Sequence, residues 1–120
     1  MSAVRILVDD VDESIAAFEL AGFTLAERWG PPFAVLAAGD AELWISGPGT
    51  SAANLTAELP SESAARAHVR PVHQVDDLDD AEATLIADGW TRAAGPISGP
   101  GGSQVLLERG SRFVEVFAAR

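Results

Sequence analysis

The chain contains no cysteine, which removes disulfides, thiolate zinc sites and a cysteine nucleophile together. Lysine is missing too, because all 8 basic residues are arginine. Lysine Schiff-base chemistry and a phosphate-loop lysine are therefore excluded, and any functional cation is a guanidinium. Two histidines, His68 and His73, leave little material for a Ser-His-Asp arrangement, and no Gly-x-Ser-x-Gly elbow occurs. No run approaches the roughly 20 apolar residues of a membrane span, and no basic segment followed by an apolar run opens the chain. These features point to a cytoplasmic protein. Positive charge is scarce, with 18 acidic residues against 8 basic and a formal net charge of -10. Such a field repels phosphate backbones and anionic headgroups, so neither nucleic acid nor a membrane is an expected partner. Against these absences stand 120 residues, 48% of them hydrophobic, enough for one domain with a real core.

The chain is organised by an internal repeat. Val8-Asp9-Asp10-Val11-Asp12 recurs as Val75-Asp76-Asp77-Leu78-Asp79, and the register holds to Gly22-Phe23-Thr24 against Gly89-Trp90-Thr91. Ile15, Phe18 and Leu20 in the first copy, and Ala83, Leu85 and Ile86 in the second, give an apolar stripe at helical spacing. The aspartates suit helix N-caps, Asp10 and Glu13 have capping-box spacing, and Gly22 and Gly89 suit left-handed stops. Val4 to Val8 and Val69 to Val75 read as strands entering these helices. Short strands follow: Thr24 to Arg28, Phe33 to Ala37 and Ala41 to Ser46 in the first copy, then Thr91 to Ala93, Gln104 to Glu108 and Phe113 to Phe117 in the second. Each copy is thus a βαβββ module, the first at about 1–47 and the second at about 67–120. Residues 48–66 read as an exposed connector with a turn of helix around Ser61 to Arg66.

Two tandem βαβββ units, each opening with a Val-x-Asp turn into a helix that ends at Gly-aromatic, resemble the glyoxalase / bleomycin-resistance / extradiol-dioxygenase superfamily. The runs Gly99-Pro100-Gly101-Gly102-Ser103, Val105-Leu106-Leu107-Glu108 and Val114-Glu115-Val116-Phe117 are of the same type. The resemblance to this vicinal oxygen chelate fold covers nearly the whole chain. It implies an α+β domain whose two modules form a curved, partly closed mixed sheet with helices outside. The scaffold serves isomerases, lyases, dioxygenases and metal-free drug-binding proteins, so function rests on the site.

Metal-dependent members carry one ligand on the first and one on the last strand of each module. The resemblance places the first-strand positions at Ala3 and Arg70, neither of which binds metal. It places the last-strand positions at Glu42 and Glu115, matched to each other. His68, two residues before Arg70, would share its face in a strand, whereas His73 would face the helix. Two carboxylates beside a guanidinium make a poor divalent site, so no metal and no other cofactor is expected. The metal-bearing alternative would use Glu42, Glu115 and His68 in a glyoxalase- or dioxygenase-like lyase or oxidoreductase.

Strand alternation predicts a concave face presenting Arg5, Leu7, Glu42, Trp44, Arg70, Val72, Gln74, Phe113, Glu115 and Phe117. This set fits a pocket of mainly apolar walls with a few convergent polar groups. Trp44 beside Glu42 suits a cationic or aromatic guest. Alternatively, Glu42 and Glu115 are buried ion-pair partners of Arg5 and Arg70, or Trp44 and Phe117 fill the cavity and leave no groove. Gly47 to Ala53 and Gly95 to Ser103 would flank its mouth. No catalytic residue is assigned, because an arginine beside either glutamate lowers its pKa and weakens it as a base. The expectation is a metal-free small-molecule binding protein of the bleomycin-resistance type, a homodimer by the same resemblance.

Overall fold

Each module starts with a strand that runs into a helix through an aspartate. The structure is a computed structural model that describes residues 2–120. The first module comprises β1 (Ser2–Leu7), α1 (Val11–Leu20), β2 (Thr24–Trp29), β3 (Phe33–Ala38) and β4 (Ala41–Ser46). The connector folds as α2 (Ser51–Ala57) and α3 (Ser61–Ala67). The second module comprises β5 (Val69–Gln74), α4 (Leu78–Ala87), β6 (Thr91–Gly99), β7 (Gly102–Arg109) and β8 (Arg112–Ala119). Asp10 accepts from the amide of Glu13 and Asp77 from that of Asp80, each at 3.0 Å, which satisfies a first-turn donor in both helices. Both helices stop where Gly22 and Gly89 take φ of 102° and 101°, a conformation costly for residues with a Cβ.

All eight strands lie in one open mixed sheet, in the order β2-β3-β4-β1-β5-β8-β7-β6. The modules meet at the antiparallel β1–β5 pair, in which Val4 faces Pro71. Adding the repeat offset of 67 to Val4 gives Pro71, so the pseudo-twofold axis passes through this pair. Alternate residues turn to opposite faces. On the outer face α1 places Val11, Ile15 and Phe18 against Ile6, Leu36 and Ile45. Its counterpart α4 places Leu78 and Leu85 against Val105, Leu107, Val114 and Val116, joined by Trp90. None of the helices among the described residues is long and apolar enough to cross a membrane.

The connector departs from the sequence expectation of an exposed segment. Thr50 caps α2 by accepting from the amide of Ala53 at 3.1 Å. The helix then buries Leu55 against Ala67, Ala94, Leu106 and Phe113 on the concave side of the second module. Full burial of one leucine is worth roughly 2 kcal/mol, and such docking holds helices far too short to be stable alone. The second module's concave face is thereby covered, while that of the first has no such helix.

Candidate functional site

Strands β1 and β5 set Arg5 directly opposite Arg70, and β8 carries Glu115 beside them opposite Val72. Both guanidinium groups converge on that one carboxylate. Arg5 donates from Nε to Glu115 Oε1 at 3.1 Å and from Nη2 to Oε2 at 2.6 Å. Arg70 donates from Nε to Oε1 at 3.0 Å, and Gln104 donates to Oε2 at 3.3 Å. The remaining donors reach outward: Arg5 Nη1 to Ser46 Oγ at 3.0 Å, and Arg70 Nη1 to Thr56 Oγ1 at 2.7 Å and the Ala67 carbonyl at 2.9 Å. All three charged side chains are buried. Burial by itself would raise the Glu115 pKa, but the two arginines outweigh it and hold the carboxyl below its ordinary value. Arg70 moves below the ordinary arginine value, first through burial and then through the repulsion of Arg5, against the pull of Glu115.

An aromatic strip adjoins this cluster on the first module. Trp44 meets Phe33 and Phe117 edge-on, with centroids 6.2 and 5.3 Å away. The Arg5 guanidinium carbon lies 5.1 Å from the Trp44 ring centroid and 5.8 Å from that of Phe33, so an internal cation already occupies this π surface. Trp44 donates its indole N–H to Glu42 at 3.0 Å, and Trp29 donates to Glu27 at 3.0 Å. Trp29 pairs with Phe33, and Glu27 with Val35. Directly opposed residues share a face, so Glu27 and Trp29 extend the strip to the sheet edge, where Trp29 is 64% exposed. Glu27, Trp29 and Phe33 are absent from the expected site set; the recurrence of Glu-x-Trp at 27–29 and 42–44 is the signal that could have added them.

The expected site residues thus fall into separate groups. Arg5, Arg70 and Glu115 form the ionic centre. Glu42, Trp44 and Phe117 lie on the aromatic strip, and Gln74, exposed, pairs with Phe117 across β5 and β8. Phe113 is buried under the connector helices. Leu7 lines a separate cleft of about 300 Å³ together with Ser46, Thr56 and His68. His68 belongs to no strand: it closes α3, with Nδ1 2.6 Å from the Ala64 carbonyl, so period-two alternation from Arg70 does not reach it. His73, paired with Val116, lies on the helix-bearing face of the sheet as expected, where it is exposed.

The pairing of Glu42 with Glu115 also needs correction. Trp44 lies five residues after the β3–β4 turn glycine Gly39, and Glu115 five after the β7–β8 turn glycine Gly110. Strand register agrees, since Arg5 pairs with Trp44 as Val72 pairs with Glu115. Glu115 is therefore the counterpart of Trp44, and Glu42 that of Phe113. The shift arises because the second module carries four more residues before its last turn, in the longer β6–β7 hairpin. Glu42 pairs with an indole rather than an arginine. Among the described residues no three His, Cys, Asp or Glu side chains cluster to hold a metal ion. The carboxylate best placed for one, Glu115, has both oxygens engaged by cationic or amide donors. This donor set does not fit the divalent metal that the fold family implies.

No protein-family model matches the sequence, and no curated protein matches it. Solved structures do resemble the chain. A glyoxalase/bleomycin resistance protein/dioxygenase superfamily member from Vibrio splendidus is 15% identical, with a TM-score of 0.60 over 100% of this chain and 98% of that one. Methylmalonyl-CoA epimerase from Mycobacterium tuberculosis is 17% identical, with a TM-score of 0.63 over 98% and 86%. A Legionella pneumophila protein described as an NAD-dependent benzaldehyde dehydrogenase is 13% identical, with a TM-score of 0.76 over 100% of both chains. At these identities the likeness is one of fold. The fold is that of the glyoxalase/bleomycin resistance/dioxygenase superfamily, the vicinal oxygen chelate fold.

Proposed function

We propose that this chain, built on the vicinal oxygen chelate fold, is a metal-free binding protein for a small organic molecule, of the bleomycin-resistance type. The observation that carries the reading is the saturation of Glu115. A carboxylate that accepts from two buried guanidinium groups and an amide offers no lone pair to a divalent ion, and displacing those partners would strand two buried cations. The lyase or oxidoreductase alternative would have to pull Glu115 out of that network and bring His68 to it from the end of α3.

The guest is a planar or cationic molecule stacked on the exposed Trp29 ring, at the edge of the strip that continues through Phe33, Trp44 and Phe117, with Glu27 and Glu42 supplying negative charge. Each indole N–H is satisfied by its carboxylate, so the exposed Trp29 ring is free to stack. A homodimer belongs to the same reading, since a second copy would cover the open concave face of the first module.

The test is calorimetric titration of the metal-stripped protein with a planar aromatic cation such as N-methylacridinium, beside elemental analysis of the protein as purified. Binding without metal, weakened about tenfold by Trp29→Ala and about threefold by Glu42→Gln, is expected. Stoichiometric metal that is lost in Glu115→Gln would overturn the reading. Sedimentation equilibrium of the same sample reads the oligomeric state, and a monomer at high concentration would remove the dimer.

A further inference from the structure

The ionic centre does not balance. It holds two guanidinium groups and one carboxylate, a net charge of +1 taken out of water, and among the described residues no acidic side chain other than Glu115 pairs with Arg5 or Arg70. One Arg70 nitrogen, Nη2, lies 3.0 Å from Glu115 Oε1 but off the hydrogen-bonding direction, and it is buried with no acceptor. An uncompensated buried charge is among the costliest features a fold can carry unless something neutralises it.

The place from which compensation can come adjoins the cluster. The cleft of about 300 Å³ between the ends of β1 and β4 and the connector helices is floored by Ser46 and Thr56. Both are buried, and each hydroxyl is the acceptor for one of the two arginines. The Thr56 hydroxyl itself donates to the Ala52 carbonyl at 2.8 Å. The Ser46 hydroxyl accepts from Arg5 and has no acceptor for its proton among the described residues, so it is a polarised donor at the cleft floor. The walls are apolar, formed by Leu7, Val8, Pro48, Ala53, Ala57 and Ala64, while the charged or titratable lining residues, Asp9 and His68, are exposed at the rim. The volume stands at the lower end of the roughly 300–1,000 Å³ found for ligand pockets.

We infer that this cleft binds a small aliphatic carboxylate, with its head accepting the Ser46 hydroxyl proton in the field of Arg5 and Arg70 and its tail along the alanine-rich wall. This site is separate from the aromatic strip and independent of the function proposed above.

The experiment is calorimetry of the full chain with acetate and hexanoate at constant ionic strength, with sodium chloride and inorganic phosphate as controls. Hexanoate should bind one per chain and about tenfold or more tighter than acetate, because the added methylenes enter the apolar walls. Ser46→Ala should weaken hexanoate about tenfold. Ala57→Phe, at an exposed wall position, should block the cleft and abolish binding while leaving the unliganded melting temperature and the acridinium titration unchanged. It decides the matter if Ser46→Ala fails to fold. Hexanoate that binds no better than chloride or phosphate, or binds Ala57→Phe undiminished, would overturn the proposal.

Discussion

The two modules share a backbone and differ at each position that matters chemically. Across the pseudo-twofold axis Arg5 corresponds to Val72, Ala3 to Arg70, Trp44 to Glu115 and Glu42 to Phe113. Wherever one module carries charge on the concave face, its counterpart carries an apolar residue. A divalent metal needs several oxygen or nitrogen donors converging on one point. Here the polar groups are pooled on one side of the axis, where two arginines from different modules share the single carboxylate. The covering differs in the same sense, because the connector helices bury the second module's concave face and no helix among the described residues covers that of the first. Equivalent scaffold positions have thus become one ionic centre and one aromatic surface.

The comparison breaks most severely at Glu115. Glu115→Gln removes the only negative charge between two buried arginines and should cost about 3–5 kcal/mol in chemical denaturation. The same residue governs the acid limb. Its folded pKa lies below the ordinary value of 4.5, so its stabilising contribution is complete above the unfolded pKa and is lost as pH falls through the folded one. Wild-type stability should therefore fall with pH below about 4.5, and where Glu115→Gln folds, that part of the slope should be absent.

Arg70→Met is a milder break. It removes the excess charge and leaves Arg5 paired with Glu115, so the loss should stay within about 2 kcal/mol, well below that of Glu115→Gln. An equal or larger loss would mean that the bonds to Thr56 and Ala67 outweigh the charge imbalance. The smallest effects test where the modules remain alike. Asp10→Ala and Asp77→Ala remove equivalent caps and should each cost about 1 kcal/mol. Clearly unequal melting-temperature shifts would show that the shared backbone is also energetically divergent.

Much of the scaffold was legible because its signals are local. Asp10 and Asp77, Gly22 and Gly89, and the alternating strands each declare themselves within a few residues. The helix α2 was not, because its one large apolar residue, Leu55, stands among small ones and reveals its face only when docked on Phe113. Pro96 hid the length of β6, a strand that tolerates proline because it lies at the sheet edge. At the site, alternation brought out Arg5, Arg70 and Glu115 but not their stoichiometry. Matching Glu42 to Glu115 by residue type was misled by the longer second hairpin, which the turn glycines Gly39 and Gly110 record. Ser46 and Thr56 carried no sequence signal, since a hydroxyl acquires its role only from the guanidinium that reaches it.

The Arg5–Glu115 bond joins residues 110 apart in a chain of 120. That contact forms only when β1, β5 and β8 lie side by side, which requires both modules to be docked. Until then both arginines keep their hydration, and a collapsed chain with its modules wrongly docked would bury them with nothing to neutralise them. The ionic centre thereby penalises compact states in which β5 does not lie between β1 and β8.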